Sequence, residues 1–246
     1  MAVLEDTSLC AIVRDEIMNP AGGIERFVEA HVPYVEQAII ADTGSVDGTR
    51  EKLEELQGKY SNLKVVDIPF EGYVTTRVNA LKYVKTKNAL VLDADELLTH
   101  EKPKNDWAML KDFIATNKSN LYNFPIESIS PNGETQIFYG GKVGTTRLFN
   151  LFHLFDLIKN NPFPGEFGEE VISSEPKIWV ECARIKHFIP SPEGIDDKFE
   201  NWYSSNHQGR FISETERVDF WKGNAPSKAK GFKNWKKYNF LRDNYI

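Results

Sequence analysis

Apolar and polar positions alternate along the first hundred residues in blocks whose periods switch between strand and helix. Leu9 to Val13 is a continuous apolar run, as expected of a strand buried on both faces, and it ends in Arg14-Asp15-Glu16. A loop with Pro20, Gly22 and Gly23 follows. Ile24, Phe27, Val28, Val32 and Val35 then recur at helical spacing, with Pro33 set to shorten or kink that helix. Ala38 to Ala41 reads as a second strand, and Asp42 to Thr49 as a turn. A helix carrying Leu53, Leu56 and Tyr60 comes next, with Ser45 or Asp47 as its cap. Leu63 to Ile68 makes a third strand, Thr75 to Lys85 a third helix, and Ala89 to Leu92 a fourth strand. Strands alternating with helices in this way predict an α/β fold with a mostly parallel central sheet flanked by helices.

The second half is less regular. Trp107, Leu110, Phe113 and Ile114 predict one more helix, and two strand-like runs flank the hairpin turn signal Ser130-Pro131-Asn132-Gly133. Arg147-Leu148-Phe149, a loop from Phe163 to Glu170, and a strand from Lys177 to Phe188 follow. No linker composition separates the halves. The expectation is a single domain over 1–220, with halves at 1–100 and 101–220, and a tail at 221–246.

Composition narrows the function. The chain has 246 residues, 41% hydrophobic and 27% charged, which is ordinary for a globular protein. A net charge of −6 argues against nucleic acid as a partner. The two cysteines, Cys10 and Cys182, have no metal-ligand spacing and fit a reducing compartment. No basic start with an apolar segment opens the chain, and no stretch nears the ~20 apolar residues a spanning helix needs. A cytoplasmic location, or one peripheral to the cytosolic face of a membrane, is expected.

The sharpest chemical signal is Asp93-Ala94-Asp95-Glu96, where the apolar run from Ala89 to Leu92 ends in three carboxylates. The carboxyl end of a strand is where an open α/β sheet places its ligand. Asp93 and Asp95, two apart, leave a strand on the same side. Crowded carboxylates repel unless a cation or a ligand donor lies between them, and hard oxygen ligands suit Mg²⁺ or Mn²⁺ shared with substrate phosphates. The same residues would also serve as a helix start or a solvated acidic turn.

Residues 42–49, Asp-Thr-Gly-Ser-Val-Asp-Gly-Thr, resemble the Asp-x-Gly-Ser-x-Asp-Gly-Thr signature of family 2 glycosyltransferases. Val13-Arg14-Asp15-Glu16 is similar to that family's first-strand ending. The run from Gly72-Tyr73 through Arg77 to Glu96 resembles members that end in Asp-Ala-Asp-Glu, with Val78 where such members carry Asn after the arginine. Four motifs in the family's order cover about the first 100 residues. The resemblance implies a GT-A-type fold with an irregular acceptor half. It also implies a metal-dependent, inverting glycosyltransferase that moves a sugar from a nucleotide diphosphate sugar to a hydroxyl. A UDP-sugar is favoured over a GDP- or dTDP-sugar, and the acceptor would be a glycan, lipid-linked or protein-linked.

Roles follow from the resemblance. Asp95 would ligate Mn²⁺ or Mg²⁺, and Asp93 would hold the ribose or share the ion. Asp42 would accept from the base, and Arg77 would face the diphosphate or brace the carboxylates. Val13, Arg14, Glu16, Gly44 and Ala94 complete the implied nucleotide-sugar contacts. Inverting transfer needs a base near the acceptor hydroxyl. The family's Gly-x-x-His-Glu-like segment aligns best with Gly165 to Glu170, pointing to Glu169, with Glu170 as the fallback. His187, at the end of a strand, corresponds to a histidine that completes the metal shell in related enzymes. Each also has an ordinary structural role open to it: a turn carboxylate, an ion pair, an acidic loop or a core histidine.

Competing readings weaken on the same residues. There is no Gly-x-x-x-x-Gly-Lys-Ser/Thr loop and no Gly-x-Ser-x-Gly elbow, and the Asp-x-Asp lies on the fourth strand rather than the first. A sugar-nucleotide-forming nucleotidyltransferase would need a Gly-rich basic loop after strand one, where this chain offers Arg14. An inactive nucleotide-sugar-binding or scaffold protein of the same fold stays open. From Trp221 to Arg242 six lysines and Arg242 interleave with Trp221, Phe232, Trp235, Tyr238 and Phe240, without an acidic residue until Asp243. Such a tail either packs its aromatics on the domain or contacts an anionic surface such as phospholipid headgroups.

Overall fold

The structure is a computed structural model. It describes residues 4–17, 23–71, 73–99, 106–129, 135–136, 144–160 and 175–188. The front half forms as its patterning requires. β1 (Leu4–Val13) pairs in parallel with β2 (Val35–Asp42) and with β4 (Asn88–Val91), and β2 pairs in parallel with β3 (Leu63–Asp67). Alternate residues of these strands enter two different cores. Leu9, Ala11, Val13, Ala38, Ile40 and Leu90 pack with Ile24, Phe27 and Val28 of α1 (Ile24–His31), with Leu53 and Leu56 of α2 (Thr49–Lys59), and with Trp107 and Leu110 of α4 (Asp106–Thr116). Cys10, Ile39, Ala41, Ala89 and Val91 pack instead with Ala80 and Leu81 of α3 (Tyr73–Leu81) and with Leu151 and Leu154 of α5 (Leu151–Asn160). A strand covered on both faces has no solvent side, so the period-2 signal disappears and the run reads as uniformly apolar. Each Leu or Ile so placed contributes about 1.5–3 kcal/mol relative to exposure.

Local chemistry sets the boundaries. α1 stops at His31, and Pro33 lies in a single 3₁₀ turn, Val32–Tyr34. Of the two expected caps, Asp47 accepts the first amide of α2, from Thr49, at 2.9 Å, while Ser45 bonds elsewhere. Gly48 occupies the position before the helix at φ 96°, which glycine adopts without strain.

The back half closes the sheet. β8 (Gly144–Asn150) runs antiparallel to β4, with Leu148 opposite Leu90. β6 (Leu121–Ile129) pairs with β8 through residues 121–125, then with β10 (Arg184–Phe188) through 126–129. β5 (Glu96–Thr99) pairs antiparallel with β10, which gives the order β3-β2-β1-β4-β8-β6-β10-β5. Two short strands, β7 (Thr135–Gln136) and β9 (Ile178–Trp179), pair with β6 off this path. β7 lies antiparallel to β6 across the expected hairpin, whose turn residues 130–133 lie outside the described residues.

β4 and β5 are joined by residues 92–95 alone, yet three strands separate them in the order. Four strand spacings in a flat sheet amount to about 19 Å, whereas five links of extended chain reach at most about 18 Å. The sheet must therefore curl, and β6 changes partner along its length, from β8 to β10. The single strand expected over 177–188 divides into β9 and β10, with bends at Glu181 and Cys182. α5 and β5 are elements the patterning did not predict. Among the described residues no helix is long and apolar enough to cross a membrane.

Candidate functional site

The parallel register brings the ends of β1 to β4 together. Val13 lies opposite Asp42, Asp42 opposite Asp67, and Cys10 opposite Val91, so Asp93 and Asp95 emerge beside the end of β1. Asp42 is the last residue of β2, and Asp93 and Asp95 follow the end of β4.

Asp42 is 3% exposed. Its Oδ1 accepts the amides of Gly44 and Ser45, both at 2.9 Å, which folds the chain into a tight turn. Gly44 sits at φ 98° with open space where a Cβ would be, so backbone conformation selects glycine there. Among the described residues the second oxygen, Oδ2, is buried without a hydrogen-bond partner. An unsatisfied buried acceptor costs about 1–3 kcal/mol, more when charged, and a ligand N–H placed there would recover it. Val13 at the strand end is buried, Arg14 half-buried, and Glu16 buried with its amide on Thr49 Oγ1 at 2.8 Å. The Thr43 hydroxyl donates to the Val13 carbonyl at 3.0 Å and ties the two strand ends together.

Asp93 lies between two guanidinium groups. Arg77, from α3, donates to its Oδ1, and Arg147, from β8, is 3.5 Å from its Oδ2. Arg147 also donates to Glu96 Oε1 at 2.5 Å, and Glu96 Oε2 accepts the Asp93 amide at 3.1 Å. Glu96 is 2% exposed, so this is a buried ionic cluster rather than a surface pair. Burial alone would weaken the hold of Arg147 on its proton. Glu96 and Asp93 outweigh that and keep the guanidinium charged well above its ordinary range. Of the two roles open to Arg77, the geometry is that of a brace on the carboxylate. Ala94, between the two aspartates, is buried.

Asp95 turns the other way. Its Oδ2 is 3.7 Å from Nε2 of His187 on β10, because β5 pairs Glu96 with His187. Burial lowers the imidazole's affinity for its proton, the Asp95 carboxylate raises it more, and the result is a pKa of about 8. Among the described residues no three His, Cys, Asp or Glu side chains gather as a metal cage. The Asp95–His187 pair still suits a divalent cation. Ligands about 2.1 Å from one ion lie roughly 3–4 Å apart, and such ions often take one or two protein groups with substrate phosphates and water completing the shell. Asp93, contacted by both arginines, lies beside that pair.

Glu169 and Glu170 lie outside the described residues. The structure adds two groups that sequence reasoning left unassigned. Glu96 stood inside the acidic run, which was a usable signal; Arg147 followed an unremarkable polar stretch, and only the β4–β8 pairing brings it to the site.

Residues 23–124 match the family model described as Glycosyl transferase family 2. That segment is similar to family 2 glycosyltransferases. It spans α1 to the first part of β6 and contains the Asp42 turn, Arg77 and the Asp93–Glu96 run. Two solved proteins share the wider architecture. The crystal structure of GalNAc-T7 with UDP, GalNAc and Mn²⁺ superposes with a TM-score of 0.56 at 16% identity, over 93% of this chain and 55% of that one. This chain thus spans about half the length of GalNAc-T7. Residues 1–349 of S. aureus TarS superpose with a TM-score of 0.52 at 13% identity, over 97% of this chain and 90% of that one. The UDP complex of the same TarS region gives 0.51 at 14% identity, with the same coverage. No curated protein matches the chain. The fold around the family 2 segment is of the GT-A glycosyltransferase type.

Proposed function

We propose that this chain transfers a sugar from a nucleotide diphosphate sugar, UDP-linked before GDP- or dTDP-linked, to a hydroxyl of a glycan, lipid-linked or protein-linked acceptor. The observation that carries the reading is Asp42 Oδ2, a buried acceptor without a partner, on the same row of strand ends as the Asp93–Asp95 turn. A base with a ring N–H, such as uracil, satisfies that oxygen. Two of the similar structures, GalNAc-T7 and TarS, hold UDP, and one holds Mn²⁺, which supports the choice of donor and of cation.

In this reading Asp95 and His187 would hold Mn²⁺ or Mg²⁺, which would supply Lewis-acid stabilisation of the diphosphate leaving group. The chain's own groups do the rest. Asp93, fixed by Arg77 and Arg147, is a preorganised acceptor for a ribose hydroxyl and needs no rearrangement when the donor arrives. Glu169 or Glu170 takes the acceptor hydroxyl's proton as that oxygen bonds to the anomeric carbon. The bond from that carbon to the phosphate oxygen breaks, the nucleoside diphosphate leaves, and the configuration inverts.

Thermal unfolding with UDP, with and without Mn²⁺, followed by a donor-hydrolysis assay, tests the reading. Saturation at about 100 times Kd would add about 2.7 kcal/mol of stability, and only with the cation present. Asp95→Ala should keep the fold and lose both the cation-dependent shift and transfer. Full activity of that variant in the presence of chelator overturns the cation assignment. Absence of any UDP effect on the wild-type chain overturns the donor.

A further inference from the structure

Asp15 has no part in the chemistry above, yet it is fully buried at the mouth of the site and holds φ 53°, a left-handed conformation that most side chains avoid. Its Oδ1 accepts the Val46 amide at 2.7 Å, and its own amide donates to Ser45 Oγ at 2.9 Å. The next two amides, of Glu16 and Ile17, both donate to Thr49 Oγ1, at 2.8 and 3.0 Å. The β1 loop therefore grips the turn after β2 at Ser45, Val46 and Thr49. Ser45 is the hinge of this arrangement: its hydroxyl accepts the Asp15 backbone amide, while its own amide donates to Asp42 Oδ1 at 2.9 Å. With Oδ1 held on Gly44 and Ser45, the carboxylate cannot turn, and Oδ2 keeps its direction.

We infer that Asp15 is a positioning residue for nucleotide-base selection, acting through Ser45 and Val46 to hold Asp42 Oδ2 toward the base. The inference rests on the donor-site reading above and adds to it a determinant of selectivity. An acceptor carboxylate distinguishes uracil, which presents a ring N3–H, from cytosine, which presents a lone pair at the same atom. A site built to meet a donor rejects a ligand without one, but only while the acceptor keeps its place. Loss of the clamp lets the Ser45–Val46 backbone shift, and the Asp42 carboxylate bonded to that turn shifts with it, so selectivity falls along with affinity.

The experiment is isothermal titration of UDP and CDP, in Mn²⁺, into the wild-type chain and three variants. Asp15→Gly keeps the backbone conformation and removes the Val46 bond. Asp15→Asn keeps an Oδ1 acceptor on a residue that also tolerates positive φ. Ser45→Ala, at a half-exposed position, removes the other bond and gives an independent route if Asp15→Gly folds poorly. The wild type should prefer UDP over CDP by at least about tenfold, as expected when one partner of a buried hydrogen bond is missing. Asp15→Gly should weaken UDP by about tenfold and bring the UDP:CDP ratio to within about threefold, and Ser45→Ala should move both in the same direction. Asp15→Asn should keep both near the wild-type values. A purely structural Asp15 would lower the melting temperature and leave the ratio alone; that result, or an Asp15→Asn that behaves like Asp15→Gly, overturns the inference while the donor site stands. A wild-type chain that binds neither nucleotide overturns the donor site, and the inference with it.

Discussion

Asp93 and Asp95 are two residues apart and have opposite surroundings. Asp93 is held by two guanidinium groups, and Asp95 faces one imidazole. The difference comes from what each neighbouring strand delivers: β8 brings Arg147 to one, and β10 brings His187 to the other. Arg147 is the counter-charge for a buried carboxylate, so its removal should cost more than any surface pair. Arg147→Met is expected to lose about 3–5 kcal/mol in urea unfolding, because Glu96 stays buried without its partner. Arg147→Lys should recover only part of that, since an ammonium group cannot span Glu96 and Asp93 as the planar fork does. Cys10 gives a check on burial. Its thiol, buried in the core, is pushed up to about 12, so it is almost wholly protonated at neutral pH. Peptide mapping after iodoacetamide treatment at pH 7 should find Cys10 unmodified in the native chain and alkylated once guanidinium unfolds it.

At the scale of elements, the two strands that end the sheet order among the described residues each have a side chain on an edge amide. On β3, Gln57 Oε1 accepts the Val65 amide at 2.6 Å. On β5, His31 Nε2 accepts the Leu98 amide at 3.0 Å, while Nδ1 donates to the Phe27 carbonyl at 2.7 Å, which fixes a neutral tautomer. Edge amides without partners invite pairing with other chains, and these contacts blunt that. His31 also joins α1 to β5, the strand that leads directly out of the Asp93–Glu96 run. His31→Phe preserves bulk and removes both bonds. It should lose about 1–3 kcal/mol in chemical denaturation, from the unsatisfied Leu98 amide, with faster hydrogen exchange at Leu98.

At the scale of the molecule, the curl of the sheet is what completes the site. Residues 92–95 span β4 to β5 only because the intervening strands wrap round, and that wrapping brings His187 to Asp95. The central strands carry the load of both cores. Leu90, fully buried on β4, should cost about 2–5 kcal/mol when cut to Ala, measured by urea unfolding. The basic aromatic segment from Trp221 to Arg242 lies outside the described residues. Sedimentation with anionic vesicles, for the full chain and for one ending at Asp219, separates its two roles. Salt-sensitive pelleting of the full chain alone marks an anionic-surface contact, and negligible pelleting of both marks a packed tail.

The amino-acid sequence by itself determined the strand–helix alternation of residues 9–92 and the turn at 42–49. It also determined the carboxylate run at 93–96 as the place where chemistry would gather. Those features are local: apolar runs, glycine at positive φ and acidic residues at a strand end act within a few positions of themselves. Only the tertiary structure decided that Asp93 is braced by Arg77 and Arg147, and that Asp95 faces His187, 92 positions away in the chain. It also made α5 and β5 into elements. Four residues of Glu-Leu-Leu-Thr carry no period of their own; they become a strand because β10 offers a partner and His31 covers the far edge. Pairing between distant strands depends on the whole sheet's closure, and no local pattern encodes it.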